Sequence, residues 1–550
     1  MTSDAVLLDG YVDEPACLGV PPYIAPQARS VAGVLSTHGF RVRYHTIDQL
    51  RKDPSLLLAI DGADLVVMLA GVTVPGKYLA GTPATLVEIE QVGSTLRHPK
   101  TLLGGPILFG YSPGGGTRAG QREIAGFSAV LTGSPDAALD SYLSGGEPEG
   151  KGDYRQMAGW LIAGAPVIGQ HPSFPHLMCE LETATGCSRV VAGGCSFCTE
   201  PFYGEPRFRT VEEIADEVAA LSASGACHFR LGRQPDLLAY GVTGGEFPRP
   251  DPDKIRDLFT SVRRAAPDLL TLHIDNVNPG TIARHEDAAR EALRAIVAGH
   301  TPGDVAAFGM ETADPAVVAA NNLKAMPGEV MQAIRVVNEE GGMRREGIPG
   351  LLPGLNFVIG LAGETEETFA LNERFLSTVL AEGLLVRRVN IRKLMAFPGT
   401  RAYGENTLGK HDRLFRGWKE RVRRDFDRPM IERVFPLGTV LRRVIVEETG
   451  TVSYGRQMGS YPVLVGIPLP LPLRDVVDAI VVDWGMRSVT ALPCPVEVNR
   501  LPVQALTWIP GIGKKRAKAI GAGRPFGDMA AWRAVAGETP LDHAISFRYP

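Results

Sequence analysis

The sequence contains no run of about 18 apolar residues, the length a membrane-spanning helix requires, so no membrane partner is expected. It has only seven cysteines in 550 residues. Their odd number and uneven spacing exclude a disulfide framework and fit a reducing compartment. Charge of one sign is also lacking: the net charge is −4, so no global field draws the whole molecule to nucleic acid, and any such role must come from local patches. The opening MTSDAVLLDGYVDEP has no basic n-region, no long apolar stretch and no cleavage site, so no secretory signal is expected and the expected location is cytoplasmic. Low-complexity tracts and internal repeats are absent from the pattern.

What is present is ordinary globular material, 44% hydrophobic and 21% charged, in a chain long enough for several cores. Residues 1–145 alternate strand and helix patterns: AVLLDGY, FRVRYHTI, ADLVVMLAGV and TLLGGPILFG read as strands of a doubly wound parallel sheet. Gly71-Val72-Thr73-Val74-Pro75-Gly76 and Gly104-Gly105-Pro106 stand at strand ends, where such sheets bind ligands or simply turn. Residues 146–170 are Gly-rich and read as a linker. From 171 to 410 the alternation resumes, with CHFRLG, LLTLHID, VAAFGMET, GLNFVIGL and LVRRVNIRKL as strands of a full or partial β/α barrel. Thr210 and Glu213 have capping-box spacing at the start of one intervening helix. Residues 411–436 are a basic helical connector with a solvated face. Residues 437–500 read as a small β-barrel and 501–550 as short helices. The expected fold class is therefore α/β multidomain.

The chemistry concentrates in GCSRVVAGGCSFCTEPFYG. Cys187, Cys195 and Cys198 are spaced C-x7-C-x2-C, with glycines at 186, 193 and 194 that let three thiolates converge. Three soft ligands suit zinc or iron–sulfur. Zinc wants a fourth ligand; His171 and His176 lie off any usual finger spacing and Cys179 is a weak candidate. A three-ligand cluster would leave one iron open.

On these residues the sequence resembles the radical S-adenosylmethionine superfamily, whose members carry a three-cysteine loop after the first barrel strand, most often C-x3-C-x2-C. Phe197 occupies the aromatic position before the last cysteine; the seven-residue first gap departs from the common pattern. PGLNFVIGLAGETEETF and FGMETADPAVVAANNLKAMPGEVMQAI resemble later segments of the methylthiotransferase-like branch, with Glu311 at its polar position near the methionine or ribose. The resemblance implies a 4Fe–4S cluster on the three cysteines and reductive cleavage of S-adenosylmethionine, with electrons from a donor such as ferredoxin or flavodoxin. Arg230, Gly232 and Gln234, at the end of CHFRLGRQ, are expected to line the cofactor pocket with Phe197 and Glu311. Gly244-Gly245-Glu246 matches a family tripeptide, but its place in a loop reads as a turn. His273 and Asp275 end a strand, with a core histidine as the plainer reading of the first.

The flanks bear on the substrate. LTWIPGIGKKRAKAI matches a helix-hairpin-helix, in which Gly511, Gly513, Lys514, Lys515 and Lys518 would hold a nucleic-acid backbone without reading bases. A protein–protein or structural hairpin is the alternative. The β-rich stretch resembles a TRAM-like barrel, where Arg442, Arg443, Tyr454 and Arg456 would face RNA or simply line a solvated edge. The N-terminal region has only Cys17, against the three cysteines of methylthiotransferases, and resembles cobalamin-binding domains without their Asp-x-His-x-x-Gly ligand motif. Cobalamin and a degenerate substrate-binding domain both remain open. Together the segments resemble uncharacterised radical S-adenosylmethionine proteins with a C-terminal helix-hairpin-helix. Three functions follow: modification of nucleic acid, RNA or DNA and foremost tRNA; cobalamin-dependent methylation of a protein or small molecule; or a non-enzymatic DNA-binding protein stabilised by zinc or a cluster.

Overall fold

The computed structural model describes residues 3–12, 22–71, 81–112 and 114–548. Cys17 and residues 72–76 of the glycine-rich segment lie outside the described residues.

The N-terminal sheet has six strands, in the order Arg41–Thr46, Asp4–Asp9, Leu65–Leu69, Lys100–Gly104, Ala129–Gly133, Glu149–Gly150. All its pairings are parallel. Ala5, Val6, Leu7, Leu8 and the whole of Leu65–Leu69 are buried, as strands covered on both faces must be. The order reverses between Asp4–Asp9 and its two neighbours, which makes their carboxyl ends the switch point of the sheet.

Residues 146–170 are not a linker. They carry the strand Glu149–Gly150, the helix Tyr154–Gly164 and a 3-10 turn, Ala165–Gln170. The helix packs on Pro26–Thr37 through Gly33 and Gly164: a Cβ at Gly33 would fall 1.8 Å from Trp160 O, and one at Gly164 would fall 1.9 Å from Arg29 O. These glycines serve close helix packing, not chain flexibility.

The central β/α unit is built from Met178–Glu182, His228–Gly232 and Thr271–Ile274, then Asp304–Glu311, Leu351–Ile359 and Arg388–Lys393, all parallel. A bridge from Asn276 to Ala307 joins the two halves. The barrel is partial, and the N-terminal region covers both of its edges. Tyr23–Ile24 pairs with Met178 and Cys179 at one edge. At the other, Gly116 N–H donates to Leu394 O and Ala119 N–H to Ala396 O, both at 2.8 Å. The first edge is thus paired, and the second is met just past the end of its strand.

A buried ion triad reinforces the first junction. Arg29 donates to Glu217 Oε1 at 2.6 Å, and Arg209 donates to Glu217 Oε2 at 2.5 Å, with all three side chains at 0% exposure. Arg209 and Arg29 outweigh burial and hold the Glu217 carboxyl below its ordinary value.

The basic connector is less solvated than expected. Within Asp412–Val422 and the following turn, Phe415, Trp418, Val422 and Phe426 are buried. Trp418 meets Phe357 and Phe369 edge-on at 5.7 and 5.8 Å. The closed β-barrel follows, in the order Val440–Glu448, Ser453–Arg456, Leu464–Ile467, Ser488–Pro493, Val476–Trp484. It docks on the central unit through Met458–Tyr461: His273 Nδ1 accepts the Ser460 N–H at 2.7 Å, and the Ser460 hydroxyl donates to Ile274 O at 2.9 Å. His273 is therefore a buried joint between the two units. Two helices, Val503–Leu506 and Lys514–Gly523, flank the turn that contains Gly511 and Gly513.

Candidate cluster and cofactor site

The cysteine loop begins beyond the carboxyl end of Met178–Glu182. Gly186, at φ +91°, lets the chain turn where a Cβ would strike Glu205 O at 2.5 Å. Its N–H donates to Glu200 Oε1 at 2.8 Å, and Cys187 N–H donates to Gly204 O at 3.1 Å. Ser188–Ala192 then form a 3-10 turn, which takes up the long first gap. Cys198 N–H closes on Cys195 O at 3.2 Å.

The extra residues of that gap have a use. Arg189, 2% exposed, reaches back to donate to Cys195 Sγ at 3.0 Å and to Asn322 O at 2.8 Å. Its other nitrogens pair with Glu246 Oε1 at 2.8 and 2.9 Å. The Gly244-Gly245-Glu246 segment is thus more than a turn; its carboxylate is tied to the cysteine loop through Arg189. Asn321 and Asn322 brace the same loop. Asn321 O accepts the Ser196 N–H at 2.9 Å, and Asn322 Nδ2 donates to Ala192 O and Gly194 O at 2.8 and 2.9 Å.

Cys187, Cys195 and Cys198 line one cavity of about 470 Å³. Phe197, Glu311, Lys324 and Asn356 share its wall, as do Arg392, Lys393, Phe415 and Lys419 from the last strand and the connector. Gly114 and Gly115 add a wall from the N-terminal region, and Tyr461 one from the small barrel.

Glu311 ends its strand at a register shift with φ +63°. A Cβ on Gly309 would lie 2.7 Å from Glu311 Oε1 and 3.3 Å from Lys324 Nζ, so this glycine lets both charged groups lie over the backbone. Burial raises Glu311 to about 7 against the pull of Lys324 and Arg392. Burial alone would lower the Lys324 ammonium, but Cys195, Cys187, Cys198 and Glu311 raise it above its ordinary value. Burial likewise raises all three thiols, Cys187 to about 11, with Arg189 and Lys324 opposing the shift at Cys195.

The residues fit a cluster better than a single ion. Tetrahedral zinc wants a fourth ligand beside the three thiols, and the candidates for it do not line the cavity. His171 is elsewhere, beside Tyr44 at 5.9 Å, and His176 lies near His228 at 6.4 Å. Cys179 is buried in its strand. Three thiols around a roomy cavity, facing the cations of Arg189 and Lys324, instead suit a larger anionic sulfide cluster.

Three expected pocket residues are not on this wall. Arg230 lies beneath it, 1% exposed, paired with Glu180 at 3.1 Å and with Asp275, and 3.4 Å from the Tyr461 hydroxyl. Gly232 packs below Asp275 and Glu180. Gln234 is buried, with neither end of its amide hydrogen-bonded among the described residues. Pro235 and Asn276 line the cavity in their place. Sequence reasoning passed over Arg189, Asn321, Asn322 and Lys324; the run Asn321-Asn322-Leu323-Lys324 was the available signal.

Away from this cavity, Gly511, Gly513, Lys514, Lys515 and Lys518 are all exposed at the turn and the start of the following helix. In the small barrel, Arg442 pairs with Asp478 at 2.5 Å and Arg456 with Glu447 at 2.6 Å, while Tyr454 is 38% exposed. No helix among the described residues is long and apolar enough to cross a membrane.

No family model matches the chain. An uncharacterized protein of Archaeoglobus fulgidus is 42% identical over 543 residues, 98% of each chain. One from Methanocaldococcus jannaschii is 41% identical over 509 residues, 89% of this chain and 93% of that one. The ribosomal protein uS12 methylthiotransferase RimO of Myxococcus xanthus is 23% identical over 305 residues, 54% of this chain and 56% of that one. Among solved structures, the radical S-adenosylmethionine methyltransferase TsrM from Kitasatospora setae, with cobalamin and a 4Fe-4S cluster bound, matches at a TM-score of 0.49 and 16% identity. That match covers 73% of this chain and 77% of TsrM.

Proposed function

We propose that the chain, which belongs to the family of the Archaeoglobus and Methanocaldococcus proteins, is a radical S-adenosylmethionine enzyme, by its cysteine loop, its partial barrel and its likeness to a methylthiotransferase, and that it modifies nucleic acid, with tRNA as the substrate. The observation that carries the reading is the convergence of Cys187, Cys195 and Cys198 with Glu311 and Lys324 on one cavity. When bound, a 4Fe–4S cluster supplies the electron that cleaves S-adenosylmethionine to a 5′-deoxyadenosyl radical. The chain's own residues hold and shield. The three cysteines would ligate, and Arg189 would donate to the Cys195 sulfur and hold the loop in register. Phe197 and Asn356 would flank S-adenosylmethionine, with Glu311 and Lys324 placed to meet its polar groups. A ferredoxin- or flavodoxin-type donor supplies the electron, in a cytoplasmic setting that keeps the thiols reduced.

Nucleic acid is the substrate class because Lys514, Lys515 and Lys518 stand exposed beyond the Gly511–Gly513 turn in a helix-hairpin-helix arrangement, beside a TRAM-like barrel. We divide the chain into an N-terminal domain that includes residues 146–170, a central barrel to about residue 410, the connector to 436, the small barrel to 500 and the hairpin domain beyond. The test is anaerobic incubation of the reconstituted protein with S-adenosylmethionine, a reductant and tRNA, followed by nucleoside mass spectrometry. A new nucleoside mass that needs all three components supports the reading. No change in any RNA or DNA, with S-adenosylmethionine still cleaved, would overturn it.

A second reading, a cobalamin-dependent methyltransferase, is favoured by one observation. Gly114 and Gly115, in the loop that follows the N-terminal strand Lys100–Gly104, line the cysteine cavity. A cofactor at the carboxyl end of that sheet would therefore face the same space. Cobalamin retained through purification, with its absorbance bands, supports it; an N-terminal domain that binds none sinks it.

A further inference from the structure

Beside the cysteine cavity lies a smaller one of about 90 Å³, between the last central strand, the connector and the small barrel. Arg387, Arg388 and Arg487 line it, with Asp427 as the only carboxylate on its described wall. Asp427 is already bound by Arg423. Arg387 leans on the Phe435 ring at 4.9 Å, and Arg388 lies over the Tyr461 ring at 3.2 Å. Both are half-buried, while Arg487 stands more exposed at the mouth.

No carboxylate among the described residues offsets the first two guanidiniums. Burial and Arg487 pull Arg387 down to about 10. Burial, with Arg392, Arg487 and Arg230 nearby, pulls Arg388 to about 9. Both stay cationic at neutral pH, and crowded cations without counter-charges are unfavourable unless an anion arrives. The guanidinium fork matches phosphate oxygens in geometry. The volume has room for a phosphate group.

Tyr461 links this pocket to the chemistry. It lines both cavities, and its φ of +51° is unusual for a bulky side chain, held where Ser460 is pinned to His273 and Ile274.

We propose that this arginine pocket binds a backbone phosphate of the polynucleotide substrate, with Tyr461 as the partition between that phosphate and the nucleoside presented to the cysteine cavity. The inference rests on the nucleic-acid reading above and extends it to a specific subsite.

The test uses the full-length protein and inorganic phosphate as probe, in thermal unfolding at constant ionic strength against chloride. The expected result is a saturable rise in Tm that falls by at least half in Arg388→Gln and in Arg487→Gln and persists in the charge-keeping Arg487→Lys. Circular dichroism checks that each variant is folded. An equal response in wild type and both Gln variants, or none in wild type, overturns the site. In a second arm, labelled tRNA competes with phosphate, and Arg387→Gln with Arg487→Gln lowers the slope of log affinity against log salt by about 1–2. Phosphate binding that bound tRNA does not displace overturns the assignment to the substrate. Phosphate binding by a protein with no affinity for tRNA strikes the functional reading itself and leaves a site for a free or mononucleotide phosphate.

Discussion

Arg189 shows how much one side chain settles at this site. It spends its donors on Cys195 Sγ, Asn322 and Glu246. Arg189→Gln leaves Glu246 without its cation and the loop without its brace. We expect iron content after reconstitution to fall several-fold, and chemical stability to drop by about 2 kcal/mol through the lost charge-assisted hydrogen bonds, since the Glu246 carboxylate left behind is partly exposed. Glu246→Gln, at the more exposed partner, should cost less. Iron assay and urea unfolding of the two variants check the order; equal retention of iron in both would contradict it.

A second residue-scale expectation concerns pH. Glu364, 1% exposed, accepts from Gly360 N–H at 2.8 Å, while its other oxygen is unpartnered among the described residues. Burial raises it from 4.5 to about 7. The folded state then holds a proton that the unfolded chain has lost, so stability falls as pH rises from about 4.5 to 7. The fall attributable to this group is roughly 3 kcal/mol at most. Glu364→Gln, which cannot ionise, should flatten that part of the stability–pH curve. An unchanged slope in denaturant unfolding would count against the assignment.

The cysteine loop was legible because its ligands are neighbours in the chain. The pocket lining was not. His228–Gly232 is buried at every position, so no in–out alternation marks which side chains face the cavity. Arg230 turned instead to Glu180, in one neighbouring strand, and Asp275, just past the end of the other. Glu246 read as part of a turn because the residue it binds sits in the nonstandard part of the cysteine gap.

At the scale of elements, the junction between Pro26–Thr37 and the central helix Val211–Ala223 depends on Glu217. Glu217→Gln would leave Arg29 and Arg209 buried with no carboxylate between them, a loss of about 3–5 kcal/mol. Because its carboxyl is held below the ordinary value, the native contribution of Glu217 is present above about pH 4.5 and is lost as pH falls through the lowered value, opposite in sign to Glu364. Thr210, whose capping box with Glu213 is formed, should lose about 1 kcal/mol as Thr210→Ala. Calorimetry that ranks these two in the reverse order would refute the account of the junction. The Gly-rich stretch 146–170 was misread because glycine marks both flexible chain and tight helix crossings, and composition alone does not separate them; only the closeness of Trp160 O and Arg29 O to Gly33 and Gly164 does.

For the whole molecule, four units contribute to one space: the cysteine loop and the central strands, the connector through Phe415 and Lys419, the N-terminal region through Gly114 and Gly115, and the small barrel through Tyr461. The alternation of strand and helix announced the two α/β units, and the density of short strands announced the small barrel. How the units meet was hidden, because the contacts join residues as far apart as Ser460 and His273. The exposed lysines make a separate expectation. Replacing Lys514, Lys515 and Lys518 by Ala should weaken tRNA binding to a similar degree for all sequences and lower the salt slope by about 2–3. A sequence-selective loss in filter binding would contradict a backbone role.

The most direct measurement is the formation of 5′-deoxyadenosine. The protein is reconstituted anaerobically with iron and sulfide, given a reductant and S-adenosylmethionine, and the product is read by mass spectrometry. The account expects 5′-deoxyadenosine from the native chain and none when Cys187, Cys195 or Cys198 is replaced by Ala. A chain that takes up zinc in place of a cluster and leaves S-adenosylmethionine intact would contradict it.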